Sequence, residues 1–347
     1  METGKKNIRK ITKEELSEYL LQADEKKFRT QQIWDWLWVN HAGTFEEMTN
    51  LSNSLRQKLS QDFIFPSVKI DHVQISKDGT MKSSFLLHDG NKVEGVLIPT
   101  GTRQTACISS QAGCSLNCKF CATGYLERQR NLDFDEIYDE VCLINKQSLE
   151  SAGKRLTNIV YMGMGEPLLN YQHVMKSIER ITSPDGLAMS PRRITLSTSG
   201  ISKMIKKLGD DKVRFNLALS LHAPNDKQRS QIMPINDKNN IQSLIEALNY
   251  FYQQTKNEIT FEYILFKDFN DSFKEADELI KLYRQVPVKV INLIEYNPIE
   301  QAHYEKPSME KIKAFEEYLT KHRVNARLRI SRGKDIDAAC GQLANKG

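Results

Sequence analysis

The chain has 347 residues, 39% of them hydrophobic, and 49 Lys and Arg against 44 Asp and Glu give a net charge of +5. That is apolar material for one large domain, or for a large domain with a small one. No apolar run approaches the roughly 18 residues that cross a bilayer, and no basic N-terminal stretch leads into an apolar one, so a membrane span and a secretory signal are both unexpected and the reading is a cytoplasmic protein.

In chain order, "TKEELSEYLLQA" opens on Thr12 with Glu15 three residues on, the pattern of a capping box. "FRTQQIWDWLWVNH" sets Ile33, Trp34, Leu37 and Trp38 on one helical face, and "NLSNSLRQKLSQDF" repeats Leu51, Leu55, Leu59 and Phe63 every four residues. Residues 1–66 therefore read as a small helical module. The period then changes. "VKIDHVQIS", "TMKSSFLLH" and "KVEGVLIP" are short and strand-like, separated by "KDGT" and "HDGN", and Asp-Gly between such runs signals hairpins. Residues 67–99 read as an antiparallel meander. From residue 100 to 347, apolar strands alternate with amphipathic helices: "TACISS", "TNIVYMGMG", "RITLSTS", "VRFNLALSLH", "EITFEYILF", "VKVINLIEY" and "ARLRIS" are the strands. That alternation argues for parallel βα units, hence an α/β fold, an open partial TIM-like barrel with its chemistry at the C-terminal strand ends.

Six cysteines in a cytoplasmic chain point to metal binding or catalysis before structural disulfides. Cys114, Cys118 and Cys121 form C-x3-C-x2-C after the first barrel strand, and their thiols are expected to converge on one point. A closed zinc site takes four ligands, usually as two separated pairs, and no second C-x2-C exists here. An ordinary electron-transfer cluster also takes four protein ligands. Three ligands on a four-iron cluster leave one iron open to a substrate. Cys142 sits on an apolar helical face and reads as a buried structural thiol, Cys107 lies on the strand before the loop, and Cys340 lies in the loop "DIDAACGQLA". Four basic runs, Lys5–Lys10, Leu126–Asn131, Ser190–Arg193 and Arg327–Lys334, are each able to meet phosphates, although one such run alone is more often a solvated face.

The three-cysteine loop with Phe120 before its last cysteine is similar to that of the radical S-adenosylmethionine superfamily. Together with "GMGEP", "SPRR", "SLHAP", "MPIN" and "DIDAACGQLA", it closely resembles the RNA adenine methyltransferases of that superfamily, most of all those acting on adenine C2 in both 23S ribosomal RNA and tRNA. The resemblance spans nearly the whole chain. It implies a [4Fe-4S] cluster on Cys114, Cys118 and Cys121, with S-adenosylmethionine bound by Gly165, Glu166, Ser197, Ser220, Leu221, His222 and Asn297. It implies that Cys340 takes a methyl from one S-adenosylmethionine, that a second gives a deoxyadenosyl radical, and that a covalent RNA adduct is resolved through a transient Cys107–Cys340 disulfide. Glu94 would accept the proton.

The implied partners are an adenosine of the peptidyl-transferase centre, the adenosine 3′ of the anticodon in some tRNAs, and a flavodoxin-type electron donor, with the chain acting as a monomer. A rival within the superfamily is the chloramphenicol–florfenicol resistance type, which modifies adenine C8; "YLERQRNL" and "RGKDIDAACGQ" look more like the C2 enzymes. Lys334 and Ser331 depart from the family pattern. A rival of another class, a zinc-stabilised RNA-binding protein without catalysis, would be colourless and indifferent to loss of Cys340.

Overall fold

The computed structural model describes residues 4–345; positions 1–3 of the expected helical module and 346–347 of the expected barrel lie outside the described residues. Helix α1 (Lys13–Gln22) starts where the capping box places it: the Thr12 hydroxyl accepts the Glu15 N–H, and the Glu15 carboxylate accepts the Thr12 N–H. Helix α2 (Phe28–Trp38) buries Ile33, Trp34, Leu37 and Trp38 as the periodicity predicts. The leucine repeat overstates α3 (Asn53–Asp62). Ser52 caps it by accepting the Leu55 N–H, so Leu51 precedes the helix. Phe63 follows it, on a two-residue strand β2 (Phe63–Ile64) that pairs in parallel with β1 (Lys6–Asn7).

Part of the basic run Lys5–Lys10 is engaged within the protein, while Lys5, Lys6 and Lys10 stay exposed. The Arg9 guanidinium is buried, donating to Asp139 at 2.5 Å and to the Ala42 carbonyl at 3.0 Å. Asn7 donates to Asp135, and Lys10 pairs with Asp133. These acidic partners lie on, or cap, α4 (Phe134–Ala152). Trp38 stacks on Phe134 and meets Tyr138 edge-on, so the N-terminal helices share one apolar core with the rest of the chain.

Strands β3 (Lys69–Ile75), β4 (Met81–Leu86) and β5 (Lys92–Thr100) form the antiparallel meander, which continues antiparallel into β6 (Arg103–Cys107). A two-residue ribbon of β7 (Gln111–Ala112) and β8 (Arg130–Asn131) brackets the cysteine loop. From β6 the sheet turns parallel through β9 (Asn158–Tyr161), β10 (Ile194–Thr198), β11 (Asn216–Ser220), β12 (Ile259–Leu265), β13 (Val288–Glu295) and β14 (Ala326–Arg329). Helices α5 (Tyr171–Thr182), α6 (Ser202–Asp210), α7 (Asp226–Ile232), α8 (Ile241–Thr255), α9 (Phe273–Tyr283) and α10 (Met309–Lys321) connect these strands. Parallel neighbours require such crossovers. The result is one ten-stranded sheet with β3 and β14 at its edges, an open α/β barrel with an antiparallel extension. No helix among the described residues is long and apolar enough to cross a membrane.

After β14 the chain returns across the gap between the two sheet edges. The Gly333 N–H donates to Asp78 at 3.1 Å, and Asp335 accepts from the Ser76 hydroxyl and the Lys77 N–H. Gly333 has φ +63°, and a Cβ there would lie 2.9 Å from Thr80 Cγ2, so only glycine passes this point. Residues 333–345 form a strap, and Cys340 lies on it.

Candidate active site

The C-terminal ends of the parallel strands, the cysteine loop and the strap enclose a cleft of about 880 Å³, part of it open to solvent. Of the residues expected from sequence, Cys114, Cys118, Cys121, Gly165, Glu166, Ser197, Ser220, His222 and Cys340 all line it. Cys107, Leu221, Asn297 and Glu94 are buried around it without lining it.

The cysteine loop follows β6 and folds onto a separate apolar cluster. Phe120 packs at 4.8 Å against His222 and at 5.7 Å against Phe266, with Cys118 and Cys121 at the cluster's margin. Burial pushes the Cys114 thiol up to about 11, with the Cys121 and Glu166 charges adding to the effect. Burial, then Cys121 and Cys114, hold Cys118 well above the ordinary thiol value; burial likewise raises Cys121. Among the described residues, no three His, Cys, Asp or Glu side chains converge on a single-ion site. All three thiols border the cleft, near enough for their charges to act on one another.

The strand ends supply polar groups. Gly165 has φ +90°, and a Cβ there would lie 2.5 Å from that of Gln111, so the chain turns closely past the cysteine loop. The Glu166 carboxylate is occupied within the protein, accepting the Ser199 N–H at 2.8 Å, the Ser199 hydroxyl at 2.7 Å and the Leu168 N–H at 3.1 Å. Ser197 and Ser220 place their hydroxyls 3.3 Å apart across β10 and β11. His222, at φ +56°, accepts the Ile264 N–H on Nδ1 at 3.1 Å. Its neutral ring therefore carries its proton on Nε2. Burial, then the charge of Arg229, pushes this imidazole down to about 3.

Cys340 is held by its backbone. Asn297 donates to its carbonyl at 3.4 Å and to Ser331 at 3.1 Å. The Gly341 carbonyl accepts the Ala122 N–H at 2.7 Å, and the Leu343 carbonyl accepts the Thr123 hydroxyl at 2.6 Å. Ser331 and Lys334, the two departures from the family pattern, are thus a partner of Asn297 and an ion-pair partner of Glu295. Cys107 ends β6 close enough to Cys340 to feel its charge; burial first, then Cys340, raises the Cys107 thiol to about 12. Glu94 lies two residues along β5 from Val96, the register partner of Cys107, on the same sheet face. Cys142 is buried beside His41 at 3.2 Å, as its helical neighbours suggested.

Sequence reasoning missed four residues here. Glu262 and Arg329 line the cleft at 3.6 Å from each other, and Glu262 Oε2 has no hydrogen-bond partner. Met162 Sδ lies 3.8 Å from Arg329 Nη1. Arg229 is fully buried, donating to the Ser199, Ser220 and Leu221 carbonyls and to Asn236 of "MPIN", which ties the ends of β10 and β11 together. Two signals bore on them: "MPIN", which holds the Arg229 partner Asn236, and the basic run Arg327–Lys334, which contains Arg329.

Two family models match this chain: the ribosomal RNA large subunit methyltransferase N-terminal domain at residues 6–64 and the radical SAM superfamily at residues 108–280. The "Probable dual-specificity RNA methyltransferase RlmN" of Cytophaga hutchinsonii is 53% identical over 345 residues, covering 99% of this chain and 94% of its own. The chain belongs to the RlmN family. The Christiangramia forsetii RlmN relative is 50% identical, over 99% of this chain and 97% of its own. The crystal structure of a radical SAM methyltransferase from Sphaerobacter thermophilus superposes with a TM-score of 0.92 at 38% identity, over 97% of this chain and 99% of that one. The chain is thus an RNA methyltransferase of the radical SAM type, and RlmN membership implies a [4Fe-4S] cluster and S-adenosylmethionine. The donor set suits such a cluster. Three half-buried thiols, Cys114 and Cys118 raised further by their neighbours, need a cationic body to ionise.

Proposed function

We propose that this enzyme methylates C2 of an adenosine in 23S ribosomal RNA and of the adenosine 3′ of the anticodon in a subset of tRNAs, using Cys340 as the methyl carrier. The observation that carries the reading is the presence of Cys340 in the same cleft as Cys114, Cys118 and Cys121, with Cys107 beside it. When bound, the cluster and S-adenosylmethionine supply a methyl group and a deoxyadenosyl radical. Cys114, Cys118 and Cys121 would hold the cluster. Gly165, Ser197, Ser220 and the Nε2–H of His222 line the cleft and would bind the nucleoside cofactor, two molecules of it per turnover.

The chain's own part is nucleophilic and acid–base chemistry. Adenine C2 is an amidine carbon with no lone pair, so a methyl cannot reach it by displacement. The Cys340 sulfur instead takes the methyl, losing its thiol proton; as the carbon joins C2 to give a thioether, one methyl hydrogen would leave to the deoxyadenosyl radical and the odd electron would return to the cluster. Glu94 accepts the C2 proton. Cys107 then forms an S–S bond with Cys340, the S–C electron pair passes to the carbon, and that carbon takes a proton to become the product methyl. The two thiols are oxidised to a disulfide, which an external thiol must reduce before the next turnover. Exposed Arg128, in the segment that follows the cysteine loop, would meet RNA phosphates, and the target base would turn out of its stack.

The test is anaerobic reconstitution with S-adenosylmethionine, a reductant and unmodified ribosomal RNA or tRNA, followed by nucleoside mass spectrometry. 2-Methyladenosine in both RNAs is the expected result. 8-Methyladenosine would move the enzyme to the resistance type, and no methyladenosine from a fully loaded protein would overturn the reading.

A further inference from the structure

Glu94 is buried to 1% exposure, and so, at 4%, is Lys82, whose Nζ lies 3.4 Å from Glu94 Oε1. The other carboxylate oxygen faces the strap, where Glu94 Oε2 accepts the Ala344 N–H at 2.8 Å and the Asn345 N–H at 3.1 Å. The Asn345 side chain adds a bond to the Lys92 carbonyl at 2.9 Å. Two backbone donors therefore share one oxygen of a carboxylate held by a buried cation, and bonds of this charge-assisted kind are the stronger ones.

We infer that Lys82 and Glu94 form a clamp that fixes the far end of the strap and so sets the position of Cys340. This rests on the reading of Cys340 as the reactive residue. It gives Lys82 a positioning role and adds one to Glu94, neither residue lining the cleft. The strap needs such a clamp. From Gly341 to Asn345 it has no helix or strand of its own, so its course depends on what seizes its backbone. Asn297, Ala122 and Thr123 hold it near Cys340, and the clamp holds it just beyond Leu343. An apolar pair would fill the space under the strap at less desolvation cost, but it would leave two strap N–H groups without acceptors. A reacting sulfur displaced by about 1 Å can lose about 10²-fold in rate.

Truncation separates the clamp from the chemistry. A chain ending at Leu343 keeps Lys82, Glu94 and Cys340 and loses only the strap end that the clamp grips; a chain ending at Asn345 keeps the grip and serves as the control. Each is loaded with cluster, and alkylation of Cys340 by iodoacetamide is timed by peptide mass spectrometry alongside kcat and KM for RNA. The chain ending at Leu343 is expected to alkylate about tenfold faster or more and to lose at least about tenfold in kcat with KM little changed, while the control matches the full chain. Lys82→Met is expected to expose Cys340 similarly; the truncation keeps the test decisive if that variant does not fold. Unchanged alkylation and kcat in the chain ending at Leu343 would overturn the clamp. Continued 2-methyladenosine formation by Cys340→Ala would instead overturn the reading on which it rests.

Discussion

Arg9 and Asp139 form an ion pair inside the protein, at 2.5 Å, and the same carboxylate accepts the Val68 N–H at 3.1 Å on its other oxygen. The pair joins the N-terminal segment to α4. Replacing Arg9 with methionine leaves a buried carboxylate without its counter-charge, and such breaks cost about 3–5 kcal/mol. Urea unfolding of Arg9→Met is expected to show a loss of that order, and the double variant Arg9→Met, Asp139→Leu should recover most of it. Equal stability of Arg9→Met and the parent would mean that the pair does not hold the segment.

Acid should destabilise the fold through two histidines. Burial, then Arg229, holds His222 at about 3, and burial, then Arg9 and Arg155, holds His41 at about 4. Unfolded, both take a proton near pH 6.5. Below that value the unfolded chain binds more protons than the native one, so stability is full above about pH 6.5 and falls as the pH drops toward 4. The slope is roughly 1.4 kcal/mol per pH unit for a fully buried imidazole such as His222. Denaturation midpoints at pH 7, 6 and 5 should track this slope, and His222→Gln should flatten it.

Cys107 and Cys340 should separate the two halves of the reaction. With Cys107→Ala the adduct forms and is not resolved, so a protein–RNA conjugate is expected on a denaturing gel with little free methylated RNA. Cys340→Ala should give neither conjugate nor product while keeping its iron. A conjugate formed by Cys340→Ala would place the carrier elsewhere.

Arg329 lines the cleft beside Cys340 and pairs with Glu262 at 3.6 Å. A sulfur attacking a methyl group draws on negative charge, which a neighbouring guanidinium favours. Arg329→Gln is expected to slow methylation of Cys340 by about tenfold or more, measured by intact mass in a single turnover, with iron content unchanged. Parent-like methylation would leave Arg329 a packing residue.

Local rules carried much of this fold. The Thr12–Glu15 box, the alternation of apolar strands with amphipathic helices, and the C-x3-C-x2-C spacing are all set by neighbours within a few residues, and each appears where the sequence places it. The misreadings concern distant partners. In the run Lys5–Lys10, read alone as a solvated face, nothing nearby reveals Asp139, Asp135 and Asp133 as the partners of Arg9, Asn7 and Lys10. Glu94 reads equally well as solvent-facing until the strap arrives from 250 residues away to cover it. Glu262 hides in an ordinary strand pattern, and its pairing with Arg329 becomes visible only when the cleft is assembled.

The bonds between Asp335 and the Ser76–Lys77 turn span 259 and 258 residues, from the meander almost to the end of the chain. Contacts of such separation close late, because a long loop must be ordered before they form. On the ribosome, the cluster loop and all the parallel strands emerge before the residues that bring in Cys340. The gap between the sheet edges therefore closes after the rest of the sheet has been made, and Cys340 comes to the cleft with the strap.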